Sequence, residues 1–97
     1  MKKVTLAATQ MSVGRDRAES LAKAEAFIRR AAGEGANIIL VQELFETPYF
    51  CQDQRPEYFE LARPVEGNEG LAKFQSVARE LQVVLPFSFF ERANQAY

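Results

Sequence analysis

Residues 37–46 read Asn-Ile-Ile-Leu-Val-Gln-Glu-Leu-Phe-Glu, and the unbroken apolar run of Ile38, Ile39, Leu40 and Val41 constrains the fold more than any other stretch. A continuous run of this kind fits a parallel strand covered on both faces, because such a strand has no solvent side. In open α/β sheets, ligands and chemistry collect just beyond the carboxyl ends of the strands. Glu43 falls at that place, with Tyr49, Phe50 and the single cysteine, Cys51, close behind it. A glutamate here either opens a hydrated surface loop or is a group delivered to a site, and spacing alone leaves both open.

The remaining chemistry is narrow. The 97 residues include no histidine and one cysteine. Ser-His and Cys-His catalysis are thereby excluded within the chain, and the commonest zinc ligand is missing. No metal site or cofactor is expected. Any chemistry must use carboxylate, lysine, tyrosine or the lone thiol. With 12 basic and 13 acidic residues mixed along the chain, there is no basic stripe of the kind that nucleic-acid binding needs. The basic start at Lys2 and Lys3 is followed by a stretch too short and polar for a secretory signal, and no run approaches a membrane span. A single cysteine suits a reducing compartment, so the expectation is a cytoplasmic protein.

Around the central run, the pattern is that of a βαβ unit. Residues 4–10 read as a first strand. Asp16 is a helix N-cap with Glu19 three residues on, as in a capping box. A helix is expected over 17–32, with Leu21, Ala24, Ile28 and Ala31 on one stripe that Phe27 widens. Ala18, Ala22, Ala26 and Ala32 on its flanks would let it lie close to the sheet. Gly33 and Gly35 end it, and residues 37–42 form the second, parallel strand.

Residues 44–67 lack a long period but carry Phe45, Tyr49, Phe50, Tyr58 and Phe59, so they read as a folded excursion over the strand ends that shapes a pocket around Glu43. Pro56 opens a short helix within it. Asn68 caps a second long helix reaching Leu81, with Leu71, Phe74, Ala78 and Leu81 as its stripe. Residues 82–90 read as a third strand, made irregular or placed at an edge by Pro86. So few strands leave exposed sheet edges. The chain therefore reads as the opening of a larger domain or as half of an obligate assembly.

Three segments resemble the amino-terminal part of the carbon–nitrogen hydrolase (nitrilase) superfamily: Val-Thr-Leu-Ala-Ala-Thr-Gln-Met at 4–11, Gly-Ala-Asn-Ile-Ile-Leu-Val-Gln-Glu-Leu-Phe at 35–45, and Val-Val-Leu-Pro-Phe-Ser-Phe-Phe-Glu at 83–91. Tyr49, Phe50, Cys51 and Gln52 bring the chain nearest to the N-carbamoylputrescine amidase branch. The resemblance implies an α/β fold, the N-terminal part of a four-layer α/β/β/α sandwich, with residues 1–97 as a portion of one carbon–nitrogen hydrolase domain. It also implies a Glu-Lys-Cys triad in which Glu43 is the general base, a lysine stabilises developing negative charge and a cysteine thiolate attacks the carbonyl carbon. Only Glu43 maps onto this sequence; the family's lysine and nucleophile belong to motifs beyond Tyr97, so these residues alone are expected to be inactive. The implied substrate is a small carbamoylated amine or amide, and the implied full-length form is a homo-oligomer without nucleic-acid or membrane partners.

Within that expectation, Tyr49 and Phe50 are candidates for lining the substrate pocket, and Glu91, ahead of Glu46 and Asp53, for holding a cationic substrate end. Cys51 is read as a buried or pocket-wall cysteine rather than a nucleophile, having no strand-to-helix elbow or helix N-terminus to activate it. Lys23 and Lys73 are read as solvated helix residues. Two other readings stand beside the first: another amidase or β-ureido hydrolase of the same superfamily, and a non-catalytic truncated α/β module that pairs its open edge with a partner.

Overall fold

A computed structural model describes residues 2–53, 55–94 and 96–97. Strand β1 (Leu6–Ala8) and strand β2 (Ile38–Leu40) pair in parallel, with Leu6 opposite Ile38 and Ala8 opposite Leu40. Helix α1 (Arg17–Gly33) connects them, and helix α2 (Glu69–Leu81) packs against α1. Between β2 and α2 the excursion holds two 3₁₀ segments, Phe50–Gln52 and Pro56–Leu61. The expected short helix after Pro56 thus forms with the tighter 3₁₀ winding.

Both long helices start and stop where local chemistry dictates. The Asp16 side chain accepts the Glu19 N–H and the Asn68 side chain accepts the Leu71 N–H, each satisfying a donor of the first turn. At the end of α1, Gly35 takes φ +96° while its N–H and that of Ala36 bond back to Ala32 and Ala31 carbonyls. This paired closure is a Schellman motif. Helix α2 closes the same way through Gln82, a non-glycine residue at φ +55°, with Val83 N–H bonding to the Ala78 carbonyl.

The core lies between the helices and one face of the sheet. Ala24, Ile28, Ile39, Val41, Phe45, Phe74 and Val77 are buried there. Phe45 stands edge-on to both Phe74 and Phe87, with ring centroids 5.6 and 5.2 Å away, an arrangement that aromatic quadrupoles favour. Val77 joins the expected stripe of α2, and Ser20 that of α1, whereas Ala18, Ala22 and Ala26 are exposed and do not face the sheet.

Two expectations about the sheet are corrected. The strands are shorter than residues 4–10 and 37–42, and the third segment meets β2 only at the Ile38–Val84 bridge, through Ile39 N–H to Val84 O and Val84 N–H to Asn37 O. Pro86, two residues on, has no N–H to continue the ladder. Among the described residues, cover on both faces is also not seen. Both helices lie on the Ile39 side, while Leu6, Leu40 and Val84 on the opposite face are 70%, 52% and 58% exposed.

Candidate active site

Glu43 sits just past the end of β2, at the start of the turn over residues 43–46. Val41 goes down into the core, Gln42 is half-buried and Glu43 is exposed. Its position in sequence and at the strand end agrees with the expectation for a residue delivered beyond the sheet.

The chain on both sides of Glu43 is fixed. The Gln42 carboxamide meets the Met11 backbone twice: its Oε1 accepts the Met11 N–H at 2.8 Å and its Nε2 donates to the Met11 carbonyl at 3.0 Å. On the other side, Leu44 takes φ +52°, a left-handed conformation costly for a branched side chain. Its N–H donates to Ser88 Oγ at 3.1 Å. Phe45 then plunges into the core.

Tyr49 lies 45% exposed, and the Glu43 carboxylate, with a smaller contribution from Cys51, pushes its phenol above the ordinary tyrosine value. A nearby negative charge disfavours a phenolate. Phe50 packs on Phe90 and Tyr58, with centroids 4.9 and 5.8 Å away. It lines a groove of about 470 Å³ together with Cys51, Tyr58, Phe59 and Phe90. Glu43 does not line that groove, so in this chain the excursion shapes an aromatic hollow on its own flank.

The three carboxylates considered for a cationic ligand are placed differently. Glu91 is exposed and forms a parallel bridge with Arg63 through backbone bonds of its neighbours, Arg63 N–H to Phe90 O and Arg92 N–H to Arg63 O. Asp53 is paired with Arg55 at 2.9 Å. Glu46 is buried, 3.4 Å from Arg17 Nε. Burial raises the Glu46 carboxyl above its usual range, against the opposing pull of the Arg17 and Arg63 charges. Glu46 is thus an internal anchor of the turn, with its cation already supplied by α1.

Cys51 is an exposed free thiol within the 3₁₀ segment Phe50–Gln52. The two helix lysines lie at the helix surface, Lys73 exposed and Lys23 half-buried: Lys23 Nζ donates to the carbonyl and hydroxyl of Ser12, and Lys73 pairs with Glu25 at 3.1 Å. Gln42, Ser88 and Arg17, which bond to the chain on either side of Glu43 or to its turn, are residues that sequence patterning did not single out. The one available hint was polarity out of place, an amide closing an apolar run and a hydroxyl between Phe87 and Phe89.

Comparison with known proteins matches residues 5–97 to the family model described as carbon-nitrogen hydrolase. An N-carbamoylputrescine amidase of Oryza sativa subsp. japonica is 50% identical over 95 residues, covering 98% of this chain and 32% of the relative. A citrullinase of Francisella tularensis is 40% identical over 96 residues, covering 99% of this chain and 34% of the relative. Among solved structures, the carbon-nitrogen hydrolase of Helicobacter pylori G27 superposes with a TM-score of 0.82 at 26% identity, over 95% of this chain and 32% of that one. The chain therefore spans about a third of the length of these relatives. With the family model covering nearly all of it, and the α/β arrangement of the chain matching a solved member, the chain belongs to the carbon–nitrogen hydrolase family.

Proposed function

We propose that these residues form the N-terminal portion of a Glu-Lys-Cys amidase domain that hydrolyses N-carbamoylputrescine to putrescine, carbon dioxide and ammonia, with Glu43 as its general base. The observation that carries this reading is the 50% identity to an N-carbamoylputrescine amidase across 98% of the chain. The position of Glu43 past the end of β2 supports its role. In the reaction, Glu43 takes the proton of the nucleophilic thiol, the thiolate attacks the carbamoyl carbon, and the lysine stabilises the oxyanion that forms. The adduct collapses by breaking one carbon–nitrogen bond, whose nitrogen leaves with the proton that Glu43 took, and a thioester-type acyl-enzyme remains. Water, giving a proton to Glu43, then attacks the carbonyl carbon and breaks the carbon–sulfur bond, and the carbamic acid released loses carbon dioxide to free the second amine.

The lysine and the nucleophilic cysteine come from motifs that this sequence does not contain, so the 97 residues by themselves are inactive in this account. Glu43 is exposed here, whereas a general base works best where water is excluded. Further protein closes over it in the active enzyme. The open sheet face with Leu6, Leu40 and Val84 is the kind of apolar surface that a further layer of a sandwich covers. We read the complete enzyme as a cytoplasmic homo-oligomer needing no cofactor; no helix among the described residues is long and apolar enough to cross a membrane. Tyr49, whose phenol is raised by the Glu43 charge, is our first candidate to line the substrate pocket, with Phe50 and Glu91 as further candidates.

The second reading, a ureido hydrolase acting on citrulline, is favoured by the 40% identity to a citrullinase. Ammonia release by the full-length protein from N-carbamoylputrescine, citrulline and a simple ω-amide separates the two. A kcat/KM highest for N-carbamoylputrescine supports the first reading. A preference for citrulline replaces it with the second, and no release from any of the three rejects both.

A further inference from the structure

The β1–β2 ladder closes with Thr9 N–H to Leu40 O at 2.9 Å. Past that point, the side chain of Gln42 takes over. A carboxamide offers the same donor and acceptor as a peptide group, and Gln42 uses both on Met11, prolonging the sheet for two residues beyond its backbone pairing. Leu44, immediately after Glu43, is held from the opposite side by Ser88 on the segment that flanks β2 there. Glu43 thus stands between two side-chain clamps, one from each neighbour of its strand.

We propose that Gln42 and Ser88 are positioning residues for Glu43, fixing the direction in which its carboxylate leaves the sheet. The inference rests on the reading of Glu43 as general base. Backbone geometry explains the need. The chain passes from extended strand to the left-handed Leu44 within three residues, and that conformation costs on the order of 1 kcal/mol for a side chain such as leucine. A strained residue persists only where its surroundings over-determine it. Without the Ser88 bond, Leu44 can relax to negative φ, which rotates the preceding peptide and swings the Glu43 side chain. Without the Gln42 bonds, the strand end is free to part from Met11. Neither clamp acts on substrate, because the groups described are already engaged with backbone. A misplacement of about 1 Å at a reacting group can cost about 100-fold in rate.

The test is a set of variants in the full-length enzyme: Ser88→Ala, Ser88→Thr, Gln42→Leu and Glu43→Gln, with Ser88→Ala also made in the Glu43→Gln background. Expected for Ser88→Ala and Gln42→Leu is a kcat lower by about 10- to 100-fold with KM changed by less than about threefold. Ser88→Thr, which keeps the hydroxyl, recovers most of the rate. Because Ser88 acts through Glu43, Ser88→Ala costs little further rate once Glu43 is already glutamine. Wild-type kcat in both clamp variants overturns the proposal. So does an equal loss from Ser88→Ala in both backgrounds, which is the mark of a general structural role. If Glu43→Gln alone keeps wild-type kcat, the general-base reading itself fails and the positioning role falls with it. Should Ser88→Ala not fold, Gln42→Leu and Ser88→Thr decide by the same kcat and KM comparison.

Discussion

Glu46 Oε2 lies 3.4 Å from Arg17 Nε, so the turn that begins at Glu43 is tied to the first turn of α1 by a buried carboxylate. Arg17 in turn donates from Nη2 to the Leu61 carbonyl at 2.9 Å, linking α1 to the end of the excursion. One arginine therefore joins three parts of the chain that are far apart in sequence.

The pair has a pH signature. Burial raises the Glu46 carboxyl above its usual range despite its cationic neighbours. A raised folded-state value favours the protonated form, so the associated stability is present below the ordinary carboxylate range and is lost as pH rises through the folded value. Glu46→Gln should gain stability relative to the wild type between pH 4 and pH 7. Arg17→Ala leaves the carboxylate without its cation and should cost about 1–3 kcal/mol at pH 7, and less at pH 4. Urea denaturation of the full-length protein at the two pH values checks both.

Phe45 is 1% exposed and edge-on to two other rings. Replacing it with alanine removes that packing and leaves a cavity at the foot of the Glu43 turn. The expected loss is about 3–5 kcal/mol. Val65→Ala, at a site 48% exposed, should change stability by no more than about 0.5 kcal/mol. Denaturation midpoints compare the two directly.

Cys51 is exposed on a single 3₁₀ turn without a long helix behind it. The cation that lines its groove, Arg55, is already paired with Asp53 at 2.9 Å. Cys51→Ser in the full-length enzyme should leave kcat within about twofold of wild type. Loss of turnover there would instead place Cys51 in the chemistry.

The helices were legible because their signals are local. Asp16 and Asn68 announce the first turns, and Gly35 the end of α1, all within a few residues of what they control. The apolar run likewise located the strand that ends near Glu43. The length of the third strand was harder to read, since Pro86 breaks a pattern whose Phe87, Phe89 and Phe90 still look like strand. The supports of Glu43 left only the hint of polar residues out of place, with no sign of their partners. Gln42 and Ser88 meet partners 31 and 44 residues away, and no periodicity encodes a single long-range hydrogen bond. The burial of Glu46 escaped notice for the same reason, because its arginine is on another element. Sequence patterning favoured Glu91 as an acidic ligand group, and it had no means of knowing that Glu46 was already paired inside.

The most direct test of the account is the turnover of Glu43→Gln in the full-length enzyme, measured with N-carbamoylputrescine alongside the thermal midpoint. The substitution preserves shape and removes only the proton acceptor. A kcat lower by about 10²–10⁴-fold with an unchanged midpoint is the expected result. A kcat within about tenfold of wild type would contradict the account and remove Glu43 from the chemistry.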